Sequence, residues 1–279
     1  MKIEKYNRPV LYFAATISAT WVLWSVVAVI SHSPLWQVQG WVTFASILGI
    51  LGLAAPMIVA FALILPDKDM RNELKSATFS FKGINWKWFA FPPIFWLAMI
   101  YLAITVSLPF GYGVEQFGVG GFTFSAGIFP VWFILILAPL FEEFGWRTYG
   151  THCIRRRFNL FQTCIIFGVL WIIWHIPLSF IYDYHHSNVA QMGIIHSISL
   201  NFSFVLFLIT DHWIYYKTKR NMLIQFMFHL SANFSMQIFR AHPHTEIIHT
   251  LLLFTFCVVL VIKERKFFFE KTFEGEVTS

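Results

Sequence analysis

Eight apolar stretches separated by short polar loops restrict the fold of this chain more than any other feature. A helix that crosses the hydrocarbon core of a bilayer needs about 20 apolar residues. The stretches cover roughly residues 9–30, 41–65, 88–108, 128–146, 159–182, 193–216, 221–239 and 246–262. Because the longest loops between them have only about 20 residues, we predict an all-α bundle of about eight transmembrane spans that forms a single domain over residues 1–279.

The composition supports a lipid-facing surface and excludes several other classes. Hydrophobic residues make up 57% of the chain and charged residues only 12%, about half the charged share of a soluble domain. The net charge of +6 does not predict nucleic-acid binding, because the basic residues lie between apolar spans. The three cysteines, Cys153, Cys164 and Cys257, are too widely spaced for a thiolate metal site, and we expect them to be small buried residues.

The basic residues predict how the spans are oriented. If eight spans alternate, 19 of the 20 Lys and Arg residues fall on one side of the membrane, and only Arg240 falls on the other. Loops rich in Lys and Arg stay in the cytoplasm. We therefore expect a multi-pass protein of the cell membrane with both termini cytoplasmic. The basic and aromatic tail, residues 263–279, is expected to lie along the inner leaflet.

Ionisable residues inside spans are costly and mark candidate functional sites. The fourth span ends with Glu142, Glu143 and Arg147. Glu143 and Arg147 are four residues apart and share a helix face, so they can pair. Glu142 points about 100° away and lacks this partner. The pattern favours one structural carboxylate and one that is free for chemistry. The alternative is that both glutamates are interfacial charges that reach the lipid headgroups.

Two further spans carry polar residues. The fifth contains His175, and the seventh contains His229 and Asn233, which project from one helix face. Considered alone, His175 could be a residue that only packs in the helix bundle. His229 and Asn233, considered alone, could form a hydrogen-bonded contact between helices. Taken together with Glu142, the four side chains suit hydrolysis. A buried carboxylate and His175 can polarise water, while His229 and Asn233 can hold an oxyanion.

The depths of these residues agree poorly with the predicted spans. At 1.5 Å per residue, Glu142 and His229 lie about 8–12 Å from the cytoplasmic ends of their spans. His175 lies about 24 Å from the corresponding end. Helix tilt or a misplaced helix boundary is needed to bring the groups together.

The spacing of these residues resembles that of the CPBP family, which includes type II CAAX prenyl proteases and bacteriocin-processing or immunity proteins. The family motifs EExxxR, FxxxH and HxxxN read here as Glu142-Glu143…Arg147, Trp171…His175 and His229…Asn233. Trp171 thus stands where the family usually has Phe. The resemblance covers a protease core of about residues 128–240. It implies an endopeptidase that cleaves near the membrane, with a peptide or a prenylated protein as substrate.

By the same resemblance, Glu142 and His175 activate water, His229 and Asn233 form the oxyanion hole, and Glu143 with Arg147 supports the site. We expect no cofactor, because Asn233 is a poor zinc ligand and a good oxyanion donor. Zinc held by Glu142, His175 and His229 is the alternative, since family members have been described as metalloproteases. The rival outside this class is a non-enzymatic immunity protein or a small transporter.

Overall fold

The computed structural model describes residues 3–79, 84–120, 122 and 124–270. In this part of the chain the structure is helical, apart from one isolated β-bridge between Val119 and Phe239. The helices are α1 (Pro9–Ser31), α2 (Gln39–Ile64), α3 (Lys68–Phe79), α4 (Lys87–Ser107), α5 (Val131–Gly145), α6 (Thr151–Arg155), α7 (Leu160–His175), α8 (His185–Gln191), α9 (Ile194–Lys217), α10 (Met222–Ile238), α11 (Pro243–Lys263) and α12 (Arg265–Phe269). Residues 271–279 of the predicted basic tail lie outside the described residues.

A helix occupies each of the eight predicted spans. Six of the helices in the described segments are long and apolar enough to cross a membrane: α1, α2, α4, α7 with the 3-10 turn that follows it, α9 and α11. The other two, α5 with 15 residues and α10 with 17, are shorter. These two short helices carry most of the candidate site residues. The all-α transmembrane fold is therefore confirmed.

The fourth predicted span does not end at residue 146. A π-helical turn, Trp146–Gly150, joins α5 directly to α6, so the helical path continues to Arg155. Glu142 therefore lies 13 residues, about 20 Å, before the end of this path, and His175 lies about 22 Å from the start of α7. The boundary predicted at residue 146 was wrong, and its correction removes the depth mismatch between Glu142 and His175, whereas His229 still lies only seven residues, about 10 Å, from the start of α10.

Sequence signals account for where the helices begin and how closely they approach. Asn159 caps α7 through a capping box with Gln162, and Asn221 caps α10 by accepting from the Ile224 amide. Gly145 brings α5 against α2, because a Cβ at this position would lie 2.5 Å from the Pro56 carbonyl carbon. The site residues on α5 are thus set against a second helix.

The basic loops meet at one end of the bundle, as the alternation of spans requires. Lys5 pairs with Asp67 and with Asp69, at 2.8 and 2.9 Å. At the same end, Arg220 contacts Glu73 at 2.5 Å and Lys217 contacts Glu264 at 3.1 Å. These ion pairs tie the N-terminal segment to the α2–α3 loop, the α9–α10 loop to α3, and α9 to the α11–α12 junction. The three cysteines are free and buried, as expected.

Candidate active site

The four predicted catalytic residues line one internal cavity of ≈ 200 Å³. Glu142 comes from α5, His175 from the end of α7, and His229 and Asn233 from α10. Glu142, His175 and His229 are buried, with 3%, 7% and 5% of their surfaces exposed, and Asn233 is half-buried. The tertiary structure therefore brings together side chains that lie up to 91 positions apart in the sequence.

Trp171 connects the members of this group. Its indole nitrogen donates a hydrogen bond of 2.8 Å to Oε2 of Glu142. Its ring packs edge-on against the imidazoles of His175 and His229, at centroid distances of 4.8 and 5.9 Å. A phenylalanine, the residue that the related motif usually has, could fill this space but could not donate the hydrogen bond. In the motif Trp171 is only an aromatic residue in place of Phe, and its contact with Glu142 was not predicted.

The hydrogen bond made by His175 decides which of its ring nitrogens carries the hydrogen. Nδ1 lies 2.8 Å from the Trp171 carbonyl oxygen, four residues earlier in α7. A carbonyl oxygen only accepts, so Nδ1 carries the hydrogen and Nε2 of the neutral ring is an acceptor. Because His175 also lines the cavity, this acceptor is available to a water molecule or a substrate.

Glu143 pairs with Arg147, as their spacing predicted, and it has a second partner. Its Oε2 accepts from Nε of Arg147 at 3.0 Å, and its Oε1 lies 2.8 Å from Nδ1 of His229. One carboxylate thus fixes both the guanidinium on its own helix and the imidazole on α10. This contact holds α10 against α5 at the level of the site.

A second carboxylate, Asp211 on α9, completes the support of the site. It pairs with Nη2 of Arg147, and its side chain also accepts from the Gln225 amide on α10. His212 lies 3.0 Å from Nη1 of Arg147, through Nε2. Asp211 and His212 are fully buried. The sequence analysis did not single them out, although ionisable residues in the sixth predicted span were an available signal.

The three alternative zinc ligands, Glu142, His175 and His229, line the same cavity. Among the described residues, no three His, Cys, Asp or Glu side chains are placed to hold a metal ion together. Nδ1 of His229 is engaged by Glu143, and one oxygen of Glu142 is engaged by the Trp171 indole. The chemistry that these side chains can perform is activation of water by Glu142 and His175, beside potential donors on His229 and Asn233.

Comparison with known proteins identifies the family of the chain. Residues 123–235 match the family model described as type II CAAX prenyl endopeptidase, Rce1-like. The chain is also 34% identical over 277 residues to CAAX prenyl protease 2 of Methanococcus maripaludis, covering 96% of this chain and 97% of the relative. Both matches support a hydrolase over a non-enzymatic immunity protein or a transporter. The chain therefore belongs to the Rce1-like family of type II CAAX prenyl endopeptidases, which makes it an intramembrane protease.

Proposed function

We propose that this protein hydrolyses a peptide bond close to the membrane surface with a water molecule held between Glu142 and His175. The observation that carries the proposal is the shared cavity lined by Glu142, His175, His229 and Asn233. Water donates one hydrogen to Nε2 of His175, which the Trp171 carbonyl leaves free as an acceptor. It donates the other to the Glu142 carboxylate, which accepts the proton as the oxygen attacks the peptide carbonyl.

The tetrahedral oxyanion is stabilised by His229 and Asn233 in this scheme. When it collapses, the peptide C–N bond breaks and Glu142 returns its proton to the leaving amine. Since the Glu143 carboxylate only accepts, Nδ1 of His229 must donate to it. A second donor at Nε2 then requires the imidazolium form. The surrounding charges support that form, because Glu143 and Asp211 face a single guanidinium, that of Arg147. An imidazolium at His229 makes this buried cluster neutral.

The reaction needs no metal ion in this proposal. The geometry supports this view, since Glu142, His175 and His229 do not form a group placed for metal coordination among the described residues. The substrate is proposed to be a prenylated protein that ends in a CAAX sequence, by analogy with the name of the archaeal relative. We further propose that both termini are cytoplasmic, because nearly all basic residues lie in the loops of one side.

The test is cleavage of a farnesylated CAAX peptide by the purified protein in detergent. Wild type, Glu142→Ala and the control Glu115→Ala, which changes an exposed loop glutamate, are compared with and without a zinc chelator. We expect wild type and the control to cleave in both conditions, and Glu142→Ala to be inactive. Activity that the chelator removes and zinc restores would overturn the metal-free mechanism. An unprenylated copy of the peptide that is cleaved equally well would overturn the prenyl requirement.

A further inference from the structure

The active-site cavity has a second polar region, between α9 and α11, that the hydrolytic mechanism does not use. Its side chains follow one face of each helix. On α11 the cavity is lined by Glu246, His249, Thr250 and Leu253, and on α9 by His196, Ser199, Ser203 and Phe207, which recur every three or four residues. We call the group Ser199, Glu246, His249 and Thr250 the distal subsite.

The distal subsite presents hydrogen-bond acceptors. The Ser199 hydroxyl donates to the Thr250 hydroxyl at 3.0 Å, and the Thr250 hydroxyl donates to the Glu246 backbone carbonyl at 3.0 Å. Both hydroxyl hydrogens are therefore used within the protein. What remains toward the cavity is the Glu246 carboxylate, with the lone pairs of the Ser199 oxygen beside it.

A buried polar atom at the same place has no partner. His249 is 3% exposed, and its Nε2 makes no hydrogen bond to any described residue. A buried polar atom without a partner is costly, so it marks a place where a ligand or water completes the site. In the described part of the chain, no Lys or Arg side chain lines the cavity, and Glu246 forms no ion pair there.

We propose that the distal subsite binds a cationic side chain, lysine or arginine, of the peptide substrate. An ammonium or guanidinium group supplies donors only, which matches the Glu246 carboxylate and the lone pairs of Ser199, whose hydroxyl hydrogen is already used. It also supplies a cationic partner for the Glu246 carboxylate, which forms no ion pair with the described residues. The inference rests on the proposed peptidase function, because it assumes that a peptide occupies this cavity.

The geometry limits where the cationic residue lies in the substrate. Phe207 contacts His229 at a ring-centroid distance of 5.0 Å, and Ser199 lies eight residues earlier on the same helix face. Eight residues of helix rise about 12 Å. An extended peptide advances about 3.3–3.6 Å per residue, so the cationic residue lies within about four positions of the scissile bond.

The test uses farnesylated reporter peptides that carry lysine, norleucine or glutamate at each of the three positions after the farnesylated cysteine and the four before it. We expect the wild type to cleave the lysine peptide with a kcat/KM about tenfold higher than the norleucine peptide at one position, the scale of one charge-assisted hydrogen bond. Glu246→Gln should bring this ratio close to one, and Glu115→Gln should leave it unchanged. Glu246→Lys should instead favour the glutamate peptide, a reversal that misfolding cannot produce.

Binding separates this inference from the proposed function. The same peptides are titrated by fluorescence anisotropy against Glu142→Ala and against Glu142→Ala with Glu246→Gln. If wild type cleaves no peptide, the CAAX peptidase proposal fails, and a lysine preference in binding that depends on Glu246 still supports the distal subsite. Equal affinity for lysine and norleucine peptides, or a preference that survives Glu246→Gln, overturns the inference.

Discussion

Replacing Trp171 with phenylalanine tests one hydrogen bond at Glu142, the proposed general base. The substitution keeps an aromatic ring against His175 and against Phe207, which Trp171 contacts at centroid distances of 4.8 and 5.5 Å. It removes the indole N–H that donates to Glu142 at 2.8 Å, together with the second ring of the indole, a loss of volume that the control Trp21→Phe shares. Because phenylalanine is the usual residue of the related motif, we expect the variant to fold.

The size of the effect follows from the surroundings of the bond. A hydrogen bond to a charged group contributes about 1.5–3 kcal/mol. Glu142 faces a cavity of ≈ 200 Å³, where a water molecule can replace part of the lost contact. We therefore take the lower figure, about 1.5 kcal/mol, which corresponds to a fall of about tenfold in kcat. KM should change less than kcat, because the bond orients the base and does not hold the substrate.

The assay is steady-state cleavage of the farnesylated reporter, with kcat and KM determined separately. Trp21→Phe is the matched control, since the Trp21 indole donates to the Ile173 carbonyl at 3.0 Å and does not line the cavity. It should keep the wild-type kcat. A folded Trp171→Phe protein with unchanged kcat would refute the view that this hydrogen bond positions Glu142.

Three other predictions concern the support of the site and the end of the bundle. Arg147→Met should lower the free energy of unfolding by about 3–5 kcal/mol, because it leaves the buried Asp211 without its cation and Glu143 with His229 alone; thermal unfolding in detergent measures the loss, and an unchanged Tm would contradict it. Gly145→Ala should destabilise by about 1–3 kcal/mol, since its Cβ would strike the α2 backbone, whereas Gly49→Ala has nothing within 4 Å and should not; equal Tm values for the two variants would refute this packing. The hydrogen bond from Lys5 holds the pKa of Asp67 below its usual 3.8, so the ionised carboxylate supports their contact above that value, and the contact is lost as the pH falls through the lowered pKa. A spin label near the N-terminus should become more mobile on acidification through that range, and a Lys5→Ala protein that showed the same transition would rule out this contact as its cause.

The sequence by itself determined the class of fold and predicted four residues that line one cavity. Apolar runs of about 20 residues and the alternation of basic loops depend only on local composition, because a bilayer demands length and apolarity of each span separately. The motifs around Glu142, His175 and His229 identified the cavity-lining residues for the same reason. Ionisable groups within apolar spans stand out whatever their neighbours are.

The tertiary structure alone decided how those residues are held. The π-helical turn after Gly145 extends the helical path to Arg155, and no apolar periodicity shows it. Trp171 reaches Glu142 across 29 positions, and Asp211 reaches Arg147 across 64. Such contacts depend on the approach and rotation of whole helices. Sequence patterns report which face of a helix is polar, whereas packing decides which polar groups on two faces meet.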